Sequence, residues 1–252
     1  MPQVDIICFN LAHFPEHLRE MKLSVLSSEE QQREAHFAFT HLRRRFAAAH
    51  LGLRLFLAKR LYPQAELQSA ELLKTAANFK FELGSFGKPK LKCNSLAFNL
   101  SHSEDWAALA LVKNEGFSLQ PELGVDLEKI SQRNALALAK RFFSQNEWQS
   151  LAIHSDLQER NQIFTRLWTR KEACLKLWGT GMHTPLNSFE VSSPLPIGLT
   201  SSSLPTPQCL YLQSTEVIEN MYLSLALNFA PNLVKITLIN WLDPPKTSTL
   251  FS

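Results

Sequence analysis

The spacing of apolar positions changes repeatedly along this chain, and each change predicts an element. Residues 4–11 form a short, mostly apolar run that reads as an opening strand. Ser27-Ser28-Glu29-Glu30-Gln31 then has the spacing of a helix-capping box, a serine followed three residues later by Glu or Gln. From there to Tyr62 the pattern is helical, and Pro63 ends it. A second helical piece covers residues 67–75, after which residues 78–83 alternate as a strand does. Gly84-Ser85-Phe86-Gly87-Lys88-Pro89 is turn chemistry. Residues 96–100 and 106–112 read as strands with Ser101-His102-Ser103 in a turn between them. Residues 113–121, with Gly116 and Pro121, read as a linker between lobes.

The second half repeats the theme. Residues 124–128, Gly-Val-Asp-Leu-Glu, read as a short buried strand, and residues 131–153 as a helix broken near Ser144. Over residues 161–178, Phe164, Leu167, Trp168, Cys174, Leu175 and Trp178 share one apolar arc of a helix, which Gly179 and Gly181 stop. Residues 183–207 are rich in Pro and Ser and read as a loop with one strand around Phe189-Glu190-Val191. Strands follow at 211–213, 222–228 and 234–241, and the run 213–227 faintly echoes 99–111, which suggests an internal duplication.

Composition narrows the class. The chain has 252 residues, 45% of them hydrophobic and 19% charged, enough for one large domain or two smaller ones with real cores. A net charge of +3 suits an anionic ligand or an acidic partner and falls short of a nucleic-acid footprint. Cys8, Cys93, Cys174 and Cys209 form no C-x-x-C pair, so reduced thiols in a cytoplasmic protein are expected, with no zinc site. No targeting segment is visible. The most apolar tract, 221–242, is interrupted by Asn228, Pro231, Asn232 and Lys235, so a membrane span is not expected.

The candidate chemistry begins with Asp126 and Glu128. Two residues apart on a strand, they project from one side at roughly 6.5 Å, where they repel by about 2–3 kcal/mol at an effective dielectric near 20 and about 0.6 kcal/mol in water. On a wet face the pair means little; enclosed, it calls for a cation. Downstream, Trp168, Glu172 and Lys176 form an i, i+4, i+8 row on a helix, which by itself is an ordinary Glu–Lys pair. Lys171 falls inside the apolar arc, where it either snorkels or reaches an anion. Ser101-His102-Ser103 offers donors that suit a phosphate. In the helix before Tyr62, Arg43, Arg44 and Arg45 fan around the axis, and Arg54 lies opposite Arg45. Three carboxylates, Asp126, Glu128 and Glu172, without His or Cys make an all-oxygen set that favours Mg²⁺ or Mn²⁺. With Lys176 and Lys171 beside phosphate oxygens, the chemistry permitted is metal-assisted displacement at a phosphate ester or pyrophosphate. A Mg²⁺-dependent nuclease or phosphodiesterase shares this set, although here Lys129 falls on the opposite face from Glu128. A non-catalytic binding module of the same fold is the other alternative.

These residues carry a resemblance. Gly124-Val125-Asp126-Leu127-Glu128 with Trp168-Thr169-Arg170-Lys171-Glu172-Ala173-Cys174-Leu175-Lys176 resembles the two-part signature of 4′-phosphopantetheinyl transferases. Phe86-Gly87-Lys88-Pro89, Asn99-Leu100-Ser101-His102-Ser103 and Lys140-Arg141-Phe142-Phe143-Ser144 with Glu147 match further motifs. The length resembles the monomeric surfactin-synthetase type. The resemblance implies an α+β protein of two similar lobes related by a pseudo-twofold axis, residues 1–119 and 120–252, each with helices on a small, mostly antiparallel sheet. It implies coenzyme A between the lobes and Mg²⁺ held by Asp126, Glu128 and Glu172. Glu172 would be the general base toward a serine of an apo acyl or peptidyl carrier protein, and 3′,5′-adenosine bisphosphate would leave, the reaction of a holo-acyl-carrier-protein synthase. Lys176 would stabilise the diphosphate, and Arg45, Lys88, Ser101, His102 and Lys171 would grip coenzyme A. One departure stands out: the family often has two basic residues ahead of Arg45, and this chain has Arg33 at one position and Glu30 at the other, which implies a weaker hold on the 3′-phosphate.

Overall fold

In the computed structural model, which describes residues 2–198 and 204–250, the chain builds two larger sheets, packed face to face and flanked on each side by helices, and two two-stranded ones. The first half contributes β1 (Gln3–Asn10), α1 (Glu16–Arg19), α2 (Lys22–Val25), α3 (Ser28–Ala35), α4 (Thr40–Leu61), α5 (Ala70–Asn78), the hairpin β2 (Phe81–Leu83) and β3 (Pro89–Leu91), then β4 (Leu96–Ser103) and β5 (Trp106–Lys113). The second half contributes β6 (Leu123–Lys129), α6 (Ala135–Phe142), α7 (Gln145–Ala152), α8 (Leu157–Trp178), the short strands β7 (Phe189–Glu190) and β8 (Ile197–Gly198), then β9 (Tyr211–Ile218), β10 (Met221–Leu227), β11 (Leu233–Ile239) and β12 (Lys246–Leu250).

The expected α+β class holds, but the sheets do not divide at residue 119/120. The five-stranded sheet has the order β12-β11-β1-β5-β4, so β11 and β12 return from the second half and join the first. β11 pairs with β1 in parallel, and every other pair in the two larger sheets is antiparallel. The three-stranded sheet has the order β6-β10-β9. Alternation along β1 explains the layers: Val4, Ile6 and Cys8 face the second sheet, packing with Val125, Leu127 and Leu225, while Phe9 faces α4. Burial pushes the Cys8 thiol up to about 12, which keeps it protonated and inert. Among the described residues, no helix is long and apolar enough to cross a membrane.

Three local expectations change. Residues 27–62 are not one helix. In a straight helix residues 30 and 54 would lie about 36 Å apart. Instead Glu30 Oε2 meets Arg54 Nε at 2.8 Å, because the chain opens at residues 36–39 and α3 folds back across α4. The Ser27 capping box does start α3 as its spacing predicts. Ser101-His102-Ser103 belongs to β4 and not to a turn; the turn is Glu104-Asp105, with Glu104 at φ 51°. β12 was not anticipated. Of the loop expected over 183–207, residues 199–203 lie outside the described residues.

α8 is capped by Asp156, whose side chain accepts from Glu159 N at 2.7 Å, and it ends at Gly179 in the left-handed conformation, φ 68°. It lies unusually close to β6. A Cβ built on Gly124 would sit 2.1 Å from the Ala173 carbonyl oxygen and 2.4 Å from the Leu177 nitrogen, both backbone atoms. Only glycine admits α8 at this distance. Gly124→Ala is therefore expected to lower stability by about 1–3 kcal/mol, the range of overpacking, or more if α8 cannot shift. A urea denaturation midpoint equal to that of the wild type would show that α8 does not make this approach.

Candidate active site

The site forms where an edge strand of each sheet meets the other. β4 ends the five-stranded sheet and β6 ends the three-stranded one, and no backbone ladder joins them. Side chains at every second position of β4 take its place. Asn99 Oδ1 accepts from Val125 N at 2.9 Å, Ser101 Oγ from Leu127 N at 3.3 Å, and Ser103 Oγ from Lys129 N at 3.2 Å. The two serine hydroxyls also donate to the acids on β6: Ser101 Oγ to Asp126 Oδ1 at 2.9 Å and Ser103 Oγ to Glu128 Oε2 at 3.1 Å. One face of β4 thus satisfies the β6 edge and aims both carboxylates.

α8 closes the other side. Thr169 Oγ1 lies 2.8 Å from Ser224 Oγ of β10, anchoring the helix one turn before Glu172 and two before Lys176. Lys176 Nζ donates to Asp126 Oδ1 at 2.7 Å and to Ser101 Oγ at 2.8 Å. Leu100, Ser101, His102, Asp126, Glu128, Trp168, Glu172 and Lys176 line a cleft of about 340 Å³, so the structure brings all three acids and Lys176 together.

Charge in this cleft is unbalanced. Burial raises the Glu172 carboxyl above the usual range, the Asp126 charge raises it further, and Lys176 opposes both. Glu128 is raised too, by burial first and then by Asp126, against Ser103, Arg133 and Lys176. An acid raised in the fold is stabilising below its raised value and loses that contribution as pH climbs through it, so at neutral pH these two carboxylates favour a bound cation. Burial lowers His102, and the Lys176 ammonium lowers it further.

The expected metal shell of Asp126, Glu128 and Glu172 is not preassembled. Among the described residues, no group of three or more His, Cys, Asp or Glu side chains is placed to hold a metal ion by itself. Lys176 Nζ occupies Asp126 Oδ1 instead. The donor set nevertheless fits a hard divalent ion. Asp126 Oδ2 is buried without a hydrogen-bond partner, an acceptor that a cation would satisfy. Mg²⁺ needs few protein oxygens, since it keeps waters and takes substrate phosphates.

The remaining expected residues divide. Arg45 and His102 line an adjoining pocket, with Arg45 bonded through Nε and Nη2 to Asp105 Oδ1 at 2.8 Å. Lys88 lines neither cavity: it donates to Glu122 Oε2 at 2.6 Å and to the Leu177 carbonyl at 3.1 Å, tying the β2–β3 hairpin to the end of α8. Burial lowers Lys88, which the Glu122 carboxylate opposes. Lys171 is a correction. It is fully buried, 2.8 Å from Glu147 Oε2, and donates to the carbonyls of Leu186 at 2.7 Å and Phe189 at 2.5 Å. It reaches no anion in the cleft, because its side chain leaves α8 on the side away from β4. Sequence reasoning read Ser103 as a phosphate donor and Trp168 as part of a helix row; the structure has Ser103 bonded to Glu128 and Trp168 lining the cleft.

The 4′-phosphopantetheinyl transferase superfamily pattern matches residues 122–225, which contain β6 and α8. The chain is 34% identical over 170 residues to the 4′-phosphopantetheinyl transferase Sfp of Bacillus subtilis strain 168, covering 66% of this chain and 71% of Sfp. It is 34% identical over 183 residues to the 4′-phosphopantetheinyl transferase HetI of Nostoc sp., covering 71% of this chain and 69% of HetI. It is also 34% identical over 170 residues to slr0495 of Synechocystis sp., 65% of this chain and 61% of that protein.

Asn99→Ala leaves the buried Val125 amide without its acceptor, at an expected cost of about 1–3 kcal/mol. Hydrogen-exchange mass spectrometry should show faster exchange in β6 than in β1; unchanged exchange would mean that the side-chain ladder does not hold the two edges together.

Proposed function

Because this chain belongs to the 4′-phosphopantetheinyl transferase family, we propose that it transfers the 4′-phosphopantetheine arm of coenzyme A to a serine hydroxyl of an apo acyl or peptidyl carrier protein. The observation that carries this reading is the single cleft in which Asp126, Glu128, Glu172 and Lys176 meet, with one buried carboxylate oxygen unpartnered. Asp126, Glu128 and Glu172 would hold Mg²⁺, or Mn²⁺ in its place, and the ion would supply a Lewis acid to the phosphate oxygens. Glu172 takes the serine proton; a carboxyl raised by burial is a stronger base than an ordinary glutamate. The serine oxygen then forms a bond to the β-phosphorus while the phosphorus–oxygen bond of the diphosphate breaks, and 3′,5′-adenosine bisphosphate leaves. Lys176, partly exposed at the cleft wall, releases Asp126 and stabilises the charge that grows on the leaving phosphate. Ser101 positions Asp126 and Lys176 for this, and Arg45 and His102 face the adenosine end.

The pseudo-twofold relation belongs to this proposal. Its support is that α4 and α8 both run 22 residues and cover opposite outer faces of the paired sheets. We read the protein as a monomer acting in the cytoplasm, with no nucleic-acid or membrane partner.

Intact-mass spectrometry of apo carriers incubated with the protein, coenzyme A and Mg²⁺ should show addition of one phosphopantetheine arm to at least one carrier. EDTA or Asp126→Ala should abolish it, and transfer unchanged by that substitution would falsify the metal-site assignment. Separately from activity, Mg²⁺ at about a hundredfold excess over its Kd should raise Tm by about 5–10 °C in the wild type. Asp126→Ala should show no such rise.

A further inference from the structure

Of the four cysteines, two meet. Cys174 on α8 and Cys209 before β9 belong to one buried cluster, whereas Cys8 is buried in another and Cys93 is exposed. The Cys174 thiol donates to the Cys209 sulfur, and this hydrogen bond lowers Cys209 below the ordinary thiol value. Burial opposes that shift, while the backbone at Tyr211 and Leu227 and the Arg170 guanidinium reinforce it. As a thiol, Cys209 also donates to the Tyr211 carbonyl at 3.3 Å. It keeps 5% of its surface exposed, and its neighbour Leu210 is exposed, so only a small reagent reaches it.

Cys174 matters by its position on the helix. It points about 200° round α8 from both Glu172 and Lys176, so it faces the core while they face the cleft. A disulfide holds its sulfurs at about 2.05 Å, well inside the separation of a hydrogen-bonded thiol pair, so forming one draws α8 and the segment before β9 together. On the β6 side the α8 backbone at Ala173 and Leu177 already closes on Gly124. A pull on α8 therefore displaces it along β6 or away from it, and Glu172 and Lys176 move with it.

We propose that Cys174 and Cys209 are a redox modification site at which a hydroperoxide closes a disulfide and displaces α8, lowering the activity of the cleft. The Cys209 sulfur takes one oxygen from the hydroperoxide, which leaves as the alcohol or, for hydrogen peroxide, as water. The Cys174 sulfur then displaces that oxygen from the sulfenic acid; it leaves as water with the Cys174 proton, and the S–S bond forms. The O–O bond accepts the two electrons that the thiols give up, and a reducing thiol reverses the change. Transient bonds of this kind suit a reducing compartment, where lasting ones do not. The effect on activity rests on the transferase reading; the bond itself does not.

The test treats the full chain with hydrogen peroxide, alkylates the remaining thiols and weighs the peptides. A peptide joining Cys174 to Cys209, lighter by two hydrogens than its reduced halves and split by dithiothreitol, is expected, with Cys8 still a thiol. Both cysteines left free under conditions that oxidise Cys93 would overturn the pairing. Activity is read in Cys93→Ser, which removes the exposed thiol. There peroxide should lower transfer to a carrier at least about tenfold, the yield of misplaced catalytic groups, and dithiothreitol should restore it. Cys209→Ser and Cys209→Ala in the same background should transfer as their parent does and ignore peroxide. An equal loss in those variants, or full activity with the bond formed, refutes the link to α8. If the unoxidised chain modifies no carrier, the transferase reading fails instead. Hydrogen exchange in α8 then decides between the bonded and reduced forms: a difference supports the displacement, and identical exchange overturns it.

Discussion

The structure depends on a side-chain ladder where a backbone ladder would ordinarily run. Edge strands expose amides that must find acceptors, and the β6 edge finds them in Asn99, Ser101 and Ser103. Backbone pairing would bring the strands to about 4.8 Å and leave no room between them. Side-chain pairing holds them further apart, and the opening lies beside Asp126 and Glu128. The same hydroxyls that cap the amides donate to the two carboxylates, so the joint between the sheets and the aim of the acids are one interaction network. A change at Ser101 or Ser103 therefore acts on fold and site together.

Two lysines five positions apart on α8 illustrate how position decides a charge's role. Lys171 is enclosed with Glu147, and two carbonyls complete its hydrogen bonds, so its ammonium is satisfied and immobile. Glu147 in turn accepts from Val191 N at 2.7 Å, which fastens the loop after β7 to α7. Burial lowers Lys171 while Glu147 opposes the shift, the balance of a structural pair. Lys176 stands at the cleft wall with partners it can exchange, a carboxylate and a hydroxyl. Both lysines sit in one signature, and only their surroundings separate anchor from site.

Much of this was legible beforehand, for reasons that particular residues show. The strand at 124–128 and the helix ending at Gly179 follow from local pattern, and the alternation of Asp126 and Glu128 places them on one face by geometry alone. The capping box at Ser27 was readable because its two hydrogen bonds are local. What pattern could not supply was long-range. The break at residues 36–39 is dictated by the meeting of Glu30 and Arg54, 24 positions apart. The return of β11 to β1 depends on a pairing across more than 200 residues. Lys171 misled because an arc of a helix records burial without recording which acid, here Glu147, waits inside.

The same limit bears on the acid at position 30. Read along the chain, a carboxylate in place of a base subtracts two charges from an anion pocket. In three dimensions Arg54 and His50 share that carboxylate, and the imidazole rather than the acid borders the pocket. Electrostatic interactions fall with distance and with the dielectric between charges, so a pocket responds to the group at its wall more than to one behind it. What a ligand meets is thus a property of the lined surface, and the sign of a residue along the chain does not set it alone.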